Sequence, residues 1–448
     1  MIPLPKLRNM LQTIVDNKAA QGHAVEGLKP EIEALPESYD AMLAMAERLS
    51  KLPLRAGWRF VEPNAWAEIQ AECDPARVRG ALGAVDPQAV APRVEAAFLG
   101  SVCGCILGKP LEVNPTLAQI RAAGEACGEW PLRDYISERM LQALGRRHPD
   151  AAYTTREKIR YAGSDDDLNY SIIGMLLLES HGAGFTQKDL AQLWLRNLPL
   201  GWCWGPERNM NRRASYALLD SPRASAGIET WADFLNPSDE ACGALIRADA
   251  YGYACAGNPA LAAELAWRDA SFTHRRTGIY GTMFVAAAIA TAFVERDRLR
   301  IFRIAAQYVP QRSRFAEVVR DSIEQVAGAS DWLDGYDRVH GKYKEFGHCQ
   351  VYQEIGTVIN TLRFARDVGE GICMQVSQGN DTDSFGCTCG SILGAYFGPG
   401  HLDPKWLAPF HDTIHVAMAD FHEQRLSEVA RRMGRLPARI AGGGERNA

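Results

Sequence analysis

Asp381 and Asp383 stand one residue apart in "GNDTDSFGCTCGSILGAYFG" (379–398), with the Ser384 hydroxyl beside them. Far upstream, "YAGSDDDLNYSIIGMLLLE" sets Ser164, Asp165, Asp166 and Asp167 directly before an apolar run with helical spacing. A Ser or Asp at such a place caps free backbone N–H groups, and its charge suits the positive end of the helix dipole. Three consecutive acids repel one another and exceed what a cap needs. If Asp165 and Asp166 fold against Asp381 and Asp383, four carboxylates meet, and they must hold protons unless cations are present. Hard oxygen ligands select Mg²⁺, Mn²⁺ or Ca²⁺ over zinc, and two divalent ions balance four carboxylates. A calcium-binding loop starting at Asp381 fails on spacing, because Phe385 takes the fifth position and Ile392 the twelfth.

The elements that must position these acids read as helices. Leu168, Ile172, Met175 and Leu176, and again Leu261, Ala262, Leu265 and Ala266, recur at helical spacing, whereas alternating strand patterns are scarce. The expected fold is all-α. Gly100, Gly104 and Gly108, and separately Gly386, Gly390, Gly394 and Gly398, lie four apart, so each set forms a stripe without side chains on one helix face. Each glycine costs up to about 1 kcal/mol in a helix interior, which implies a compensating gain in packing. The two stripes are expected to pack near each other.

The 448 residues, 47% hydrophobic and 23% charged, suffice for a large core. Residues 1–88, punctuated by proline, read as an N-terminal helical extension or subdomain; 89–436 carry the motifs, and 437–448 read as a flexible tail. A formal charge of -5 argues against a nucleic-acid surface. Eleven scattered cysteines and an N-terminus without the apolar core of a signal peptide fit a reduced, cytoplasmic setting. The longest apolar run, Met283 to Val294, is short of the roughly 20 residues that span a bilayer, so no membrane partner is expected.

These motifs carry a family resemblance. "GSDDDLNYSIIGMLLLE" resembles the T/S-D-D helix start of the ADP-ribosylglycohydrolases, "GNDTDSFGCTCGSILGAYFG" resembles their G-x-D-T-D-S/T closing motif, and "GSVCGCILGKPLE" resembles their glycine-rich opening motif ending in Glu. The order of the three also matches. The resemblance implies a compact multi-helix fold with a dinuclear metal cleft that cuts glycosidic bonds to ribose, with an ADP-ribosyl or ribosyl compound as substrate. It assigns Ser164, Asp165, Asp166, Asp381, Asp383 and Ser384 to two Mg²⁺ (or Mn²⁺) ions. By the same carry-over, Glu112 lies by the metals and the scissile bond, His274 in "SFTHRRTGIYG" contacts ribose, and Gly243 in "CGALIRAD" lies near the nucleotide. Glu112 is the candidate to move the proton, with Asp166 or Asp383 orienting water. Taken alone, Glu112 reads as a solvated charge after the Pro110 turn.

The chain departs from the family at Cys105, where Asp is usual, and at Asp167, where Thr is common. These departures keep open a noncatalytic ADP-ribose-binding protein, and release of inorganic phosphate would instead mark a phosphohydrolase. "NPSDEACGALIRADAYGYACAGNPALAAELAWRDASFTH" resembles larger bacterial members, and the chain is expected as a monomer or homodimer. In "GWCWGPERNMNRRAS", Trp202, Trp204, Arg208, Arg212 and Arg213 read equally as an outer wall for a nucleotide or as a packed corner. Two C-x-C pairs, Cys103/Cys105 and Cys387/Cys389, read as small buried residues rather than a zinc site. His411, His415 and His422 read as a surface stripe on a helix face.

Overall fold

The computed structural model describes residues 2–219 and 227–443. Its regular structure is helical, apart from one antiparallel ribbon among the described residues, Thr413–His415 against Glu423–Arg425. The all-α expectation therefore holds. The histidine stripe does not: His415 lies in the ribbon, where Nε2 is 3.1 Å from the Glu423 carboxylate, and His411 and His422 occupy the turns around it. Ile414 alone of the short Thr413–His415 segment is buried, so the two-residue period decides there.

The glycine stripes meet. A Cβ on Gly104 of the Pro87–Gly108 helix would sit 2.0 Å from the Gly386 carbonyl oxygen, and Gly100 and Gly108 oppose Gly390 and Thr382 in the same way. The pairing falls along one chain as it rises along the other, so the Pro87–Gly108 and Thr382–Phe397 helices are antiparallel. The end of the first therefore lies against the start of the second, and the Thr382 hydroxyl donates to the Gly108 carbonyl at 2.8 Å. Gly398, the last of the spacing, instead closes its helix with φ +81°. Behind the pair runs the Thr277–Ala292 helix, whose every residue is buried.

The Met283–Val294 run is the only one weighed from sequence; by length and apolarity the Pro87–Leu111 stretch reaches what a membrane span requires. Its most apolar window is 72% buried inside the fold, as befits the central helix of a core. Cys103, Cys105, Cys387 and Cys389 are buried and free there, and they form no four-cysteine cluster among the described residues.

Residues 2–52 carry their own small apolar cluster, built on Leu7, Leu11, Ile14, Leu28, Ile32, Met42, Met45 and Leu49 and closed by Phe234 and Leu235. Ile69 and Cys73 belong instead to the main core. Polar contacts tie the N-terminal residues down: Gln21 Nε2 donates to Asp239 at 2.7 Å, and the Ser238 N–H to Asn17 at 2.7 Å. The last helix spans Leu426–Gly443, so residues 437–443 of the expected tail are helical, and 444–448 lie outside the described residues.

Candidate active site

Three chain segments converge on one cleft. Past Gly108 the chain makes a 3₁₀ turn, Lys109–Leu111, and delivers Glu112. The Asp166–His181 helix begins at Asp165, whose carboxylate accepts from the Asp167 N–H at 3.1 Å. The Thr382–Phe397 helix begins at Asp381, whose side chain makes no cap bond. Its approach is turned by Gly379 and Asn380, both at positive φ, and a Cβ on Gly379 would lie 2.3 Å from the Pro115 carbonyl oxygen. Two helix N-termini thus aim their positive ends at a shared group of acids.

Lys109 sits at the centre of that group, a placement the sequence reading did not anticipate. Its Nζ is 2.7 Å from Glu112 Oε2, 2.7 Å from Asp165 Oδ2 and 2.9 Å from Asp383 Oδ2. Burial alone would lower the pKa of this ammonium, but Asp165, Asp383 and Glu112 outweigh it and hold it well above its ordinary value. Burial likewise opposes ionisation of Asp383, yet Lys109 prevails and takes that carboxyl down to about 2. Glu112, Asp381 and Asp166 go the other way. Burial and then Asp383 push Glu112 up to about 10, burial and then Asp383 push Asp381 up to about 6, and burial with Asp165 beside it raises Asp166 well above the carboxylate range.

Buried carboxylate oxygens here lack partners: Asp167 Oδ1, Asp381 Oδ1 and Asp383 Oδ1 make no hydrogen bond. Uncompensated buried oxygen of this kind is costly unless a cation completes it, so the donor set fits a hard divalent ion. Asp167, read from sequence as a departure, belongs to the group: its Oδ2 accepts from the Ser384 hydroxyl at 3.2 Å. Ser164 precedes the helix cap and is only half-buried.

A cleft of about 550 Å³ opens over these residues, lined in part by Lys109, Glu112, Asp166, Asp381 and Ser384. Trp202 and Trp204 also line it, whereas Arg208, Arg212 and Arg213 do not. Arg208 donates to the Cys203 carbonyl at 2.6 Å, and Arg213 to that of Trp231 at 3.0 Å. None of residues 2–88 lines the cleft. His148, unremarked in the sequence, places Nε2 3.5 Å from Glu112, and burial, then Lys109, lowers its pKa.

Gly243 lines the cleft, and a Cβ there would lie 2.6 Å from Glu207 Oε1, so glycine is what lets that carboxylate approach. His274, expected against ribose, is wholly buried and is not among the residues that line the cleft. Its Nδ1 is 2.8 Å from the Thr273 hydroxyl and 3.5 Å from Glu207. Glu207 in turn is paired to buried Arg247 at 2.6 Å, and Arg247 to Asp269 at 2.7 Å. A desolvated ion-pair network of this kind holds Glu207 rigidly in the cleft wall.

A second group the sequence did not reveal borders Asp381. Glu354 accepts from the N–H groups of Val351 (2.9 Å), Cys349 (3.2 Å) and Asp381 (3.3 Å). It thereby stabilises Cys349 and Val351 at φ +62° and +69°, where a β-branched residue such as valine is strained.

The ADP-ribosylglycohydrolase family model matches residues 86–439. None of the curated proteins matches the sequence. A solved structure described as an ADP-ribosylglycohydrolase-related protein complex superposes with a TM-score of 0.51 at 20% identity, covering 78% of this chain and 98% of that one, a likeness of fold. With the three motifs converging on one acidic cleft and the family match spanning most of the chain, this protein belongs to the ADP-ribosylglycohydrolase family and is a hydrolase of that type.

Proposed function

We propose that the chain hydrolyses a glycosidic bond to ribose, releasing ADP-ribose or ribose from an N- or O-ribosyl linkage, and that it requires hard divalent ions. The observation that carries the metal requirement is the set of buried, unpartnered oxygens on Asp167, Asp381 and Asp383. Glu112, Asp165, Asp166, Asp167, Asp381 and Asp383 are six carboxylates around the single ammonium of Lys109. Two Mg²⁺ or Mn²⁺ ions would raise the positive charge from one to five, leaving one carboxyl to keep its proton. Asp165, Asp166, Asp381 and Asp383 would hold them, with Ser164 and Ser384 as hydroxyl ligands. When bound, such ions grip ribose hydroxyls and lower the pKa of a bound water.

Glu112, on the cleft wall, is the carboxyl we assign the proton; in the metal-free protein burial beside Asp383 already favours its neutral form. Cleavage at the ribosyl C1 passes through an oxocarbenium-like state, and a neutral Glu112 can protonate the departing atom and later accept a proton from water. His148 stands 3.5 Å away and can exchange that proton with solvent. Asp166, half-buried on the cleft wall, and Asp383 orient the attacking water. Lys109 fixes Glu112 and Asp383 relative to one another. The half-exposed face of Trp204 offers a stacking surface for an adenine at the cleft mouth.

The test is a mass-spectrometric time course with Mg²⁺, with and without chelator, over ADP-ribosylated peptides, free ADP-ribosyl compounds and simple N-ribosides. Chelator-sensitive release of ADP-ribose or ribose is expected and names the leaving group. Release of inorganic phosphate, or turnover indifferent to chelator, would overturn the proposal.

A further inference from the structure

Cys242 and Cys349 come from segments far apart in sequence, yet the Cys242 N–H donates to the Cys349 carbonyl at 3.1 Å, which brings the two side chains to one place. Both sulfurs lie 3.3 Å from the same oxygen, Asp381 Oδ2. The two Sγ atoms and a carboxylate oxygen of Asp381 all fall within 4.8 Å of one another. On the other side of that carboxylate, Oδ1 is buried without a partner, and His348 Nδ1, also buried without a partner, is 4.0 Å from it. Asp381 itself is 2% exposed.

We infer that Cys242, Cys349 and Asp381 form a three-ligand site for a thiophilic divalent ion such as Zn²⁺, with solvent or a ligand at the fourth position, at the edge of the cleft and separate in donor chemistry from the oxygen-lined site. A tetrahedral zinc holds sulfur at about 2.3 Å and oxygen at about 2.1 Å, which sets sulfur and oxygen ligands roughly 3.6 Å apart. The 3.3 Å separations need only a few tenths of an ångström of adjustment. Two sulfurs and one carboxylate are also a donor mixture that prefers zinc to magnesium. Entry of the ion displaces the two thiol protons to solvent.

Access and rigidity favour the site. Cys349 and His348 line both the cleft and a neighbouring cavity of about 740 Å³, so an ion can arrive without opening the core. The strained backbone around Cys349 is held in place by Glu354, which keeps its sulfur facing Cys242 before any ion arrives. Because Asp381 is common to both sites, a thiophilic ion would draw one ligand away from the hard ions, so that Zn²⁺ acts as an antagonist of Mg²⁺.

The inference does not depend on the reaction proposed above, and its test reads ligand chemistry instead of turnover. Reduced, metal-stripped protein is titrated anaerobically with Co²⁺ and then Zn²⁺, following the near-ultraviolet thiolate-to-cobalt charge-transfer band. One equivalent of Co²⁺ is expected to develop the band and Zn²⁺ to remove it. The Cys242→Ser/Cys349→Ser double variant is expected to lose the band, and Cys103→Ser, whose thiol is buried elsewhere, to keep it. Cys349→Ser alone, at a half-buried loop position, is measured beside the double variant so that misfolding of the latter leaves a second reading; it should weaken the band by about half or more, in proportion to the thiolates bound. An unaltered protein without the band, or a band at full strength in Cys349→Ser, overturns the site.

Discussion

At the start of the Asp166–His181 helix, Asp165 caps the Asp167 N–H at 3.1 Å and contacts Lys109 at 2.7 Å. At the start of the Thr382–Phe397 helix, Asp381 caps nothing, faces two thiols through one oxygen and leaves the other unpartnered. Both acids are buried at helix N-termini, yet Asp165 already has a cap and an ammonium as partners while Asp381 leaves one oxygen with none. The same position in a helix can therefore contribute very differently to stability.

The close helix approach brings the two starts together, so the largest effect is expected from breaking it. Gly104→Val would drive a side chain into the Gly386 carbonyl, 2.0 Å from where even a Cβ would stand, and backbone cannot yield as a side chain can. We expect a loss of about 3 kcal/mol or more, read as a fall in denaturant midpoint, with the cleft disordered along with it. An unchanged midpoint would mean that the helices can separate freely and that the glycine stripe is incidental.

Next in size, Asp165→Ala removes a cap and one counter-charge of a buried ammonium, which should cost roughly 2 to 4 kcal/mol. Asp381→Asn should change stability by less than about 1 kcal/mol while lowering kcat/KM by on the order of a thousandfold, about 4 kcal/mol of transition-state stabilisation. Equal stability losses in the two variants would erase the distinction.

The pH response sharpens it further. The Asp381 carboxyl is held up to about 6 when folded, so the folded state keeps a proton that the unfolded chain has released. Its contribution is present at low pH and lost as pH rises from the ordinary carboxylate range through about 6; Glu112 extends the loss toward about 10. Asp383, depressed to about 2 by Lys109, contributes in the opposite sense and is lost only as pH falls through that value. Chelated protein should therefore become less stable above about pH 5 in thermal melts, and saturating Mg²⁺ should flatten the decline. The smallest effect is expected at the mouth: Trp204→Ala should raise KM by roughly tenfold with kcat nearly unchanged, the mark of binding shared by ground and transition states.

The glycine stripes and their packing against each other were legible because they rest on short-range spacing at the four-residue helical repeat, whereas the antiparallel direction was not. Lys109 stood in plain view one residue past Gly108, but nothing local says that a lysine will bury its ammonium among acids contributed by two distant helices. Cys242, His348, Cys349 and Glu354 were invisible for the same reason: their meeting depends on a strained loop whose positive φ angles no sequence pattern announces. His274 is a related case: the motif resemblance places it near ribose, but no sequence pattern announces its full burial against Glu207.

If the unpartnered acids hold divalent ions, those ions can be counted. Mn²⁺-equilibrated protein is desalted and its metal content measured by mass spectrometry for the unaltered chain and for Asp383→Ala, with circular dichroism on both. Bound Mn²⁺ is expected in the first, its loss in the second, and equal helix content. Full metal content retained by Asp383→Ala at equal helix content would contradict that role for the acids.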